Sequence, residues 1–359
     1  MSATSTGAST SARGSGVAVA IVTWNAARDL AANLEHVRAQ TVAPEEVVVV
    51  DNASSDGTAA IAAAAGVRVV AMGENAGYAA GANRAWRETR AAWLLMVNQD
   101  AFLGPDFIER ALAAAERAEH ASPPAWRAGA RVGAVQGLVL RTTPAERSAP
   151  AARTIDAIGI EVRRSRRNLI LGHGAPEAAA RAGEVFGPDG AVALFRRAAL
   201  DEAAVAGAPF DADFFFGREE VDFAWRAQRL GWRTVVAPAA RAFHCRTLTR
   251  ETARSVPLAL RRASVRARYL MLLKNERLAD LARDLPWLLA FEAAYLGYML
   301  LRDPRALLGG LLDALRLAPR ALRARGEFFA KEPRHLAAPR RFLGAREPLE
   351  MPVAPSDAR

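Results

Sequence analysis

Three short apolar runs in about the first hundred residues each end in polar side chains that could bind a ligand. The runs are Val17–Val22, Val47–Val50 and Trp93–Val97. The polar clusters that follow them are Thr23-Trp24-Asn25, Asp51-Asn52-Ala53-Ser54-Ser55-Asp56-Gly57-Thr58 and Asn98-Gln99-Asp100-Ala101. In an open α/β sheet, ligands bind beyond the carboxyl ends of parallel strands. The three clusters therefore predict one ligand site at one edge of a sheet.

Asp100 and His244 are candidates for holding a divalent cation. Mg²⁺ and Mn²⁺ take oxygen ligands and are often held by one or two carboxylates together with substrate phosphates. Imidazole is a frequent ligand for Mn²⁺-type ions, and His244 follows a predicted strand, where it could complete a site begun by Asp100. The alternatives are a capping role for Asp100 and a bond from a buried His244 to a backbone carbonyl.

A third group consists of Glu219, Glu220 and Asp222, which follow an aromatic run at the start of an amphipathic helix. Acids in a first turn stabilise a helix by ~0.3–1 kcal/mol, which is one explanation for them. A carboxylate beside an aromatic wall can also have a raised pKa suited to removing a hydroxyl proton. Glu219 and Asp222 share a helix face, whereas Glu220 points about 100° away. The three acids therefore cannot all do the same job.

The elements that must position these residues alternate between β-branched runs and Ala-rich helical stretches. This alternation predicts an α/β fold with a mostly parallel sheet and helices on both faces. In the first part, the predicted helices are about Arg28–Gln40, Gly57–Ala65 and Ala79–Ala91, with a further strand at Val67–Met72. Later predicted strands are Arg131–Arg141, Ala191–Phe195 and a short Thr234–Ala237 leading to His244. Residues 142–183 are predicted to form an excursion over the substrate face.

The last third of the chain is predicted to be helical and carries the positive charge. The net charge is +10, and Arg246–Arg346 holds 21 Lys and Arg against 9 Asp and Glu. Helix breaks are expected at Pro286, Pro304, Pro319 and Pro333. The apolar stretch Pro286–Leu301 is shorter than the roughly 20 residues that a spanning helix needs. Arg305–Arg325 interleaves Leu with Arg, which indicates either an interfacial amphipathic helix or a helical region with a basic solvent face.

The length and composition of the chain indicate its class of protein and its expected domains. Its 359 residues are enough for one large domain or two smaller ones. Cys245 is the only cysteine, which excludes a disulfide framework and fits a reducing, cytoplasmic compartment. Residues 1–16 lack the basic and apolar features of a secretion signal and are expected to be a disordered tail. We expect a catalytic domain at 17–248, a basic helical region at 249–346 and a C-terminal tail at 347–359.

In these motifs the chain resembles the family 2 glycosyltransferases, in particular their rhamnosyltransferase-like branch. The resemblance covers about residues 17 to 245, in the family's order. The matching segments are Val22-Thr23-Trp24-Asn25, Val50-Asp51-Asn52-Ala53-Ser54-Ser55-Asp56-Gly57-Thr58, Asn75-Ala76-Gly77-Tyr78-Ala79-Ala80-Gly81-Ala82-Asn83, Val97-Asn98-Gln99-Asp100-Ala101, Phe186-Gly187-Pro188-Asp189-Gly190-Ala191, Glu219-Glu220-Val221-Asp222 with Arg226, Gly231-Trp232, and His244.

The resemblance implies a GT-A fold and transfer of a sugar, rhamnose by analogy, from a nucleotide-diphosphate donor with inversion at the anomeric carbon. Asp51 would contact the base and ribose, with Thr23 and Asn25 lining the same pocket. Asp100 would match the acid that binds Mg²⁺ or Mn²⁺, and His244 a further metal ligand. The resemblance also places these residues in the nucleotide-sugar site: Asn52, Asn75, Gly77, Asn83 and Asn98. The acceptor would be a glycan or a polyprenyl-linked sugar in cell-envelope polysaccharide synthesis.

Two positions depart from the family's pattern. Asn98 stands where many relatives have the first Asp of the metal-binding motif, which leaves Asp100 as the only carboxylate there. Glu219-Glu220 stands where Glu-Asp is usual, so Glu220 occupies the position of the presumed base. Glu219 and Asp222 remain alternatives for that role.

Other functions fit the residues less well. A dinucleotide-dependent oxidoreductase would need glycines after the first strand, where the chain has Thr23-Trp24-Asn25-Ala26-Ala27. A nucleotidyltransferase would usually show an early Gly-rich, basic phosphate loop. In the basic tail few aromatic residues are interleaved with the arginines, so it is not expected to bind nucleic acid. An anionic membrane surface suits it better, which predicts a peripheral location on the inner face of the plasma membrane.

Overall fold

A computed structural model of the chain describes residues 16–121, 129–147, 153–246, 256–332, 339–346 and 348. The predicted tails, apart from residues 16 and 348, and the predicted domain boundary at 248 lie outside these ranges, as does Pro333. The strands are β1 Val17–Thr23, β2 Glu46–Asp51, β3 Arg68–Ala71, β4 Trp93–Asn98, β5 Ala101–Leu103, β6 Arg131–Arg141, β7 Ile155–Ala157, β8 Ile160–Val162, β9 Asn168–Ile170, β10 Gly183–Val185, β11 Val192–Arg196 and β12 Trp232–His244. The helices are α1 Leu30–Arg38, α2 Thr58–Ala64, α3 Tyr78–Glu88, α4 Phe107–His120, α5 Arg197–Ala203, α6 Glu219–Arg229, α7 Leu258–Asn275, α8 Leu278–Arg302 and α9 Pro304–Lys331.

One large mixed sheet forms the centre of the described structure, with strand order β10-β12-β6-β11-β4-β1-β2-β3. The β4-β1-β2-β3 half is parallel throughout, as predicted from its alternation with helices. The other half is mixed, because β11 pairs antiparallel with both β4 and β6. Strands β1, β2 and β4 are buried along almost their whole length, which is why they appear in the sequence as continuous apolar runs.

Helices cover both faces of the sheet, as predicted. One core holds side chains of α1 and α4 against β1 and β4, and a second core on the opposite face holds those of α3, α5 and α6. The 142–183 segment contributes β7, which pairs antiparallel with β6, and it leads into β10, which pairs antiparallel with β12. Strands β8 and β9 form a separate two-stranded sheet.

The last strand is much longer than the predicted Thr234–Ala237. It runs through thirteen residues and ends on His244 itself. Its pairing with β6 shifts register between Ala237 and Arg241, a bulge that accommodates Pro238, which has no N–H for the ladder. The bulge allows one strand to continue across a segment that the sequence indicates as a break.

The C-terminal helices pack on the outer side of α6. Ala267, Leu270 and Met271 of α7 share a core with Val221 and Trp225 of α6. The predicted helix breaks at Pro286 and Pro319 are wrong, because both prolines lie inside continuous helices. Each is on an exposed side, where the carbonyl that loses its partner can be solvated. Pro304 begins α9, as expected of proline at a first helical position. No helix in the described ranges is long and apolar enough to cross a bilayer.

Candidate active site

The polar clusters that follow β1, β2 and β4 meet at one edge of the sheet. The strand register pairs Thr23 with Asp51 and Val22 with Asn98, so the three ends lie side by side. The side-chain amide of Gln99 joins two of them: its oxygen accepts from the Trp24 N–H at 2.8 Å, and its nitrogen donates to the Trp24 carbonyl at 3.3 Å. Gln99 was not among the sequence-predicted site residues. The predicted crevice therefore exists, with Trp24 half exposed at its mouth.

Asp51 is buried at the base of this crevice, and its carboxylate accepts hydrogen bonds from Thr23 and Ser54. The Thr23 hydroxyl donates to its Oδ1 at 3.3 Å, and the Ser54 N–H donates to its Oδ2 at 3.3 Å. The Ser54 hydroxyl also donates to Asp51. The carboxylate is therefore fixed in one orientation before any ligand arrives.

Asn25 shapes the rim of the same crevice. Its backbone is left-handed, with φ of +52°, which Asn tolerates better than most residues. Its N–H donates to the Ser54 hydroxyl at 2.9 Å, and its side-chain oxygen accepts from the Ser55 N–H at 2.9 Å. Asn25 thus pins the loop after β2 against the end of β1.

The loop before α3 brings Asn52, Asn75 and Gly77 together. The Asn52 amide donates to the Gly77 carbonyl at 3.2 Å, and the Gly77 N–H donates to Asn75 Oδ1 at 3.1 Å. Gly77 has φ of +87°, and a Cβ there would collide with the carbonyl of Phe215, so only glycine fits. The Oδ1 of Asn52 is buried and has no hydrogen-bond partner in the described part of the chain. Such an unpartnered buried acceptor marks this loop as a place where a polar group is still missing.

Asn83 and Asn98 are both held by hydrogen bonds within the protein. The Asn83 amide donates to the Phe210 carbonyl at 2.6 Å and accepts from the Phe210 N–H at 3.0 Å, so it tethers the loop before α6. The backbone of Asn98 is fixed at both ends, because its N–H donates to Ala191 and its carbonyl accepts from Asn33. The side chain of Asn98 remains partly accessible.

His244 lies between two carboxylates. Its Nε2 is 3.2 Å from Asp100 Oδ1, and its Nδ1 is 2.8 Å from Asp156 Oδ2. The antiparallel pairing of β12 with β5 brings His244 beside Ala101 and fixes this geometry. Burial lowers the pKa of His244, but hydrogen bonds to the two carboxylates outweigh burial and raise it to about 9. The imidazole is therefore protonated at neutral pH when only these groups surround it.

Asp156 is a site residue that sequence reasoning missed. It is fully buried in β7 and accepts from His244 and, in a bidentate pair at 2.7 and 2.9 Å, from Arg246. Burial raises the pKa of Asp156, but these bonds lower it below its usual range. The only signal in the sequence is a carboxylate between Ile155 and Ala157 in an otherwise apolar short strand.

Glu219 and Glu220 form a shielded carboxylate pair at the start of α6. Glu219 is 4% exposed, and its Oε2 has no partner within the described ranges. Burial raises the pKa of Glu219 to about 7. Burial and the neighbouring Glu219 raise the pKa of Glu220 well above its usual value. Glu220 is partly accessible, and its carboxyl carbon lies 3.9 Å from where a Cβ of Gly190 would be.

Asp222 has a different environment from its two neighbours. It is fully buried and accepts hydrogen bonds from Arg226 at 2.9 Å, Lys274 at 2.8 Å and Asn275 at 2.7 Å. Burial raises the pKa of Asp222, but Lys274 and Arg226 outweigh burial and lower it to about 2. Its oxygens are therefore committed to joining α6 to α7.

Asp189 connects the two halves of the site. It is buried beside Gly190, its backbone N–H donates to Gln136, and its Oδ1 accepts from the Ala191 N–H at 3.1 Å. Burial raises its pKa, and it is close enough to His244 and Arg246 for them to lower that pKa. The charge of Asp189 also raises the pKa of Glu219 and Glu220. The imidazole and the carboxylate pair therefore belong to one electrostatic unit.

Comparisons with known proteins point to one family. Residues 18–140 match the family model for glycosyl transferase family 2. The N-acetylglucosaminyl-diphospho-decaprenol L-rhamnosyltransferase of Mycobacterium tuberculosis (strain ATCC 25618 / H37Rv) is 28% identical over 250 residues, which cover 63% of this chain and 75% of that protein.

Solved structures share the fold. S. aureus TarS 1–349 is 16% identical with a TM-score of 0.51, and the match covers 88% of each chain. GalNAc-T7 with UDP, GalNAc and Mn²⁺ is 11% identical with a TM-score of 0.53, and the match covers 72% of this chain. It covers 47% of GalNAc-T7, so the chain spans about half the length of that protein. These likenesses confirm the predicted GT-A fold.

Proposed function

We propose that this chain, a glycosyltransferase with a family 2 domain, moves a sugar from a nucleoside diphosphate donor to a polyprenyl-linked acceptor with inversion at the anomeric carbon. The observation that carries the proposal is the geometry of one sheet edge, where the ends of β1, β2 and β4 lie side by side and His244 Nε2 is 3.2 Å from Asp100 Oδ1. The shielded Glu219–Glu220 pair at the start of α6 is a second acidic group of the site. Such a site has separate groups for a leaving diphosphate and for an incoming hydroxyl. The M. tuberculosis relative, by its name, acts on a lipid-linked diphosphate sugar, which supports rhamnose and a polyprenyl acceptor.

The donor binds in the crevice at the ends of β1 and β2. Asp51 accepts from the ribose or base, since its orientation is already fixed by Thr23 and Ser54. The unpartnered Oδ1 of Asn52 provides a further buried acceptor. Asn25, Asn75 and Gly77 set the shape of the pocket, and Asn83 holds the loop that closes it toward α6. Asn98, near Asp100, contacts the donor without binding the metal ion.

Asp100 and His244 would hold a divalent cation, Mg²⁺ or Mn²⁺. A carboxylate oxygen and an imidazole nitrogen 3.2 Å apart would suit such an ion once His244 has released its Nε2 proton, and the remaining ligands are commonly substrate phosphates and water. No group of three or more protein ligands occurs in the described part of the chain, which fits a site that the donor completes. When bound, the ion offsets charge on the leaving diphosphate. Asp156 orients the imidazole so that Nε2 faces Asp100.

Glu220 is the general base. An inverting transfer needs a carboxylate within ~3 Å of the acceptor hydroxyl, on the sugar face opposite the diphosphate. Glu220 is the member of the acidic group that remains partly accessible while its pKa is raised. Glu219 lies behind it and, with Asp189, raises the proton affinity of Glu220. Asp222 keeps α6 in place through Lys274 and Asn275.

If the acceptor is lipid-linked, the protein has to work at a membrane surface. The basic helices after residue 256 would contact an anionic membrane on its cytoplasmic side, where nucleotide sugars are available. No nucleic-acid partner is proposed, because the arginines of this region alternate with leucines rather than with stacking aromatics.

The proposed reaction is tested by a donor panel. The purified full chain is incubated with nucleoside diphosphate sugars, including a rhamnose donor, in the presence of Mn²⁺ or Mg²⁺, and nucleoside diphosphate release is measured. We expect one donor to be turned over well above the rest, and turnover to rise with a polyprenyl-diphosphate acceptor. The absence of release and transfer with every donor and either ion would overturn the proposal.

Replacing Asp156 should weaken the metal site without removing either metal ligand. In Asp156→Asn, the imidazole loses its charged orienting partner and Arg246 loses its bidentate pair, so we expect metal affinity to fall by about 10–100-fold. The measurement is Mn²⁺ titration by calorimetry in the presence of nucleoside diphosphate. Asp106→Asn, which removes an exposed acid that pairs with Arg110, is the control and should leave affinity unchanged. A folded Asp156→Asn variant with unchanged Mn²⁺ affinity would refute the orienting role.

A further inference from the structure

Between its exposed Arg283 and Arg302, helix α8 directs its charge inward and its apolar side chains outward, the reverse of an ordinary surface helix. From Leu285 to Leu301 its one charged side chain is Glu292. Glu292 faces inward: it accepts from Arg268 Nε at 2.8 Å and from the Tyr269 hydroxyl at 3.0 Å on α7. A surface helix normally directs its charged side outward and its apolar side inward. Here the polar contact is internal, and the outward side carries no charge.

Large apolar side chains are spread over the exposed half of the helix, with small residues between them, and together they form what we call the apolar ridge. Its members are Leu285, Trp287, Leu289, Tyr298, Leu300 and Leu301. Each is exposed, and Leu301 at the helix end is 86% exposed. Asp284 is the one buried residue that α8 has. Contiguous apolar surface of this kind marks an interaction site rather than ordinary solvent-facing structure.

The following helix adds positive charge beside the apolar ridge. After the turn at Asp303, α9 carries four more exposed leucines at helical spacing: Leu308, Leu312, Leu315 and Leu322. Exposed arginines border this row and the end of α8: Arg302, Arg305, Arg316, Arg320 and Arg323. Leucine rows bordered by arginine, with Trp and Tyr at the edge, are typical of helices that lie in the interface of an anionic bilayer.

We propose that the apolar ridge of α8 inserts into the headgroup region of an anionic phospholipid bilayer, with the α8–α9 hairpin lying along the surface. The apolar side chains provide the insertion, and the bordering arginines pair with lipid phosphates. Neither α8 nor any other helix in the described ranges can span the bilayer, so the hairpin rests in one leaflet. This rests on the membrane contact of the proposed function and deepens it by naming the side chains that insert, and it holds whichever donor is used.

A second copy of the chain is the competing occupant, and charge argues against it. A two-fold interface brings the same surface patch of both copies together. Each copy would bring the exposed Arg302 and Arg305 to the interface, so the two patches brought together would carry positive charge of the same sign. Like charges at an interface are unfavourable, whereas an anionic lipid surface complements them. The observations therefore favour a bilayer.

The test uses the full chain and vesicles of defined composition. Co-sedimentation is measured with phosphatidylcholine vesicles and with vesicles that also contain phosphatidylglycerol. We expect binding to the mixed vesicles, reduced by salt. Leu300→Asp/Leu301→Asp should lower the apparent vesicle affinity on the order of 100-fold. Leu278→Asp, an exposed leucine of the same helix outside the ridge, is the matched control and should bind as the wild type does.

Two further measurements make the outcome decisive. Arg302→Gln/Arg305→Gln should reduce binding to the mixed vesicles and its salt dependence together. In the unaltered chain, brominated lipids should quench the fluorescence of Trp287, identified by its loss in Trp287→Phe. This quenching measurement does not depend on whether Leu300→Asp/Leu301→Asp folds.

Three results would overturn the proposal: unchanged binding by folded Leu300→Asp/Leu301→Asp, no quenching of Trp287, or a dimer that this variant dissociates without any vesicle binding by the wild type. Donor turnover measured without vesicles is independent of the ridge. Its loss would count against the proposed sugar transfer and not against bilayer insertion.

Discussion

Glu220→Gln should lower kcat by about 10²–10⁴-fold while the affinity for the nucleoside diphosphate donor stays unchanged. The amide keeps the size and hydrogen bonding of the carboxylate but cannot accept a proton from the acceptor hydroxyl. The donor crevice, formed at Asp51 and Asn52, is built by other elements, so its affinity should not respond. Turnover and donor binding are measured by product release and by calorimetry.

The same substitution should change the pH profile. A base acts when deprotonated, so kcat/KM of the wild type rises with pH through the pKa of the base. Because burial and Glu219 raise the pKa of Glu220, this rising limb should lie well above the 4.5 of an ordinary glutamate. The residual activity of Glu220→Gln should lack that limb. A rising limb near 4.5 in the wild type would contradict the shielding that the structure indicates.

Two neighbouring acids are the matched controls. Glu219→Gln removes a buried carboxylate behind the base and should shift the rising limb to lower pH, with a smaller loss of kcat. Asp222→Asn should act mainly on stability, because it leaves Arg226 buried without its charged partner and Lys274 with Asp211 alone, a type of change that costs about 3–5 kcal/mol. If Glu220→Gln kept wild-type turnover while either control lost it in a folded protein, the assignment of the base would be wrong.

Asp100→Ala should abolish metal-dependent transfer. The substitution leaves His244 as the one remaining ligand from the proposed pair, which is too few to position an ion against a diphosphate. Loss of the charge that a metal supplies to the leaving group corresponds to a fall of about 10³-fold or more. Calorimetric titration of Mn²⁺ with nucleoside diphosphate gives a second readout, in which the metal-dependent binding should disappear.

Asn98→Ala is the matched control for Asp100→Ala. It removes a neutral side chain from the end of the same strand, two residues away, and should keep metal-dependent binding with only a modest loss of affinity. Retention of metal-dependent nucleoside diphosphate binding in Asp100→Ala would show that the ion is held elsewhere. Equal losses in both variants would mean that the loop, and not the carboxylate, determines binding.

The sheet and its ligand-binding edge could be predicted from the sequence because they depend on local patterns. Val17–Val22 and Trp93–Val97 are buried on both faces, so each is a continuous apolar run, and the polar residue that ends each run marks the sheet edge. Strand β12 could be predicted only in part. Pro238 indicates an end, and only the partner strand β6 shows that a bulge carries the pairing on to His244.

The roles of the acids required the tertiary structure. The resemblance puts Glu220 in the position of the base and leaves Glu219 and Asp222 as alternatives, and contacts from distant elements distinguish the three. Lys274 and Asn275 bind Asp222 from about fifty residues away along the chain. The role of Asp156 likewise depends on its hydrogen bonds with His244 and Arg246, which follow it by about ninety residues. Spacing in the sequence carries no information about such pairings.

The bond between Asp222 and α7 limits how this chain can be recombined. The matched family segment ends at residue 140, yet α6, which carries the acidic group, is fastened by a buried carboxylate to Lys274 and Asn275. A chimera that exchanged the C-terminal helices for those of a relative would have to import both partners. Otherwise the buried Asp222, three residues from Glu219, would keep Arg226 as its one charged partner within the described residues. The catalytic helix and the C-terminal helices are thereby linked, so a functional exchange between relatives would have to move α6 and α7 together.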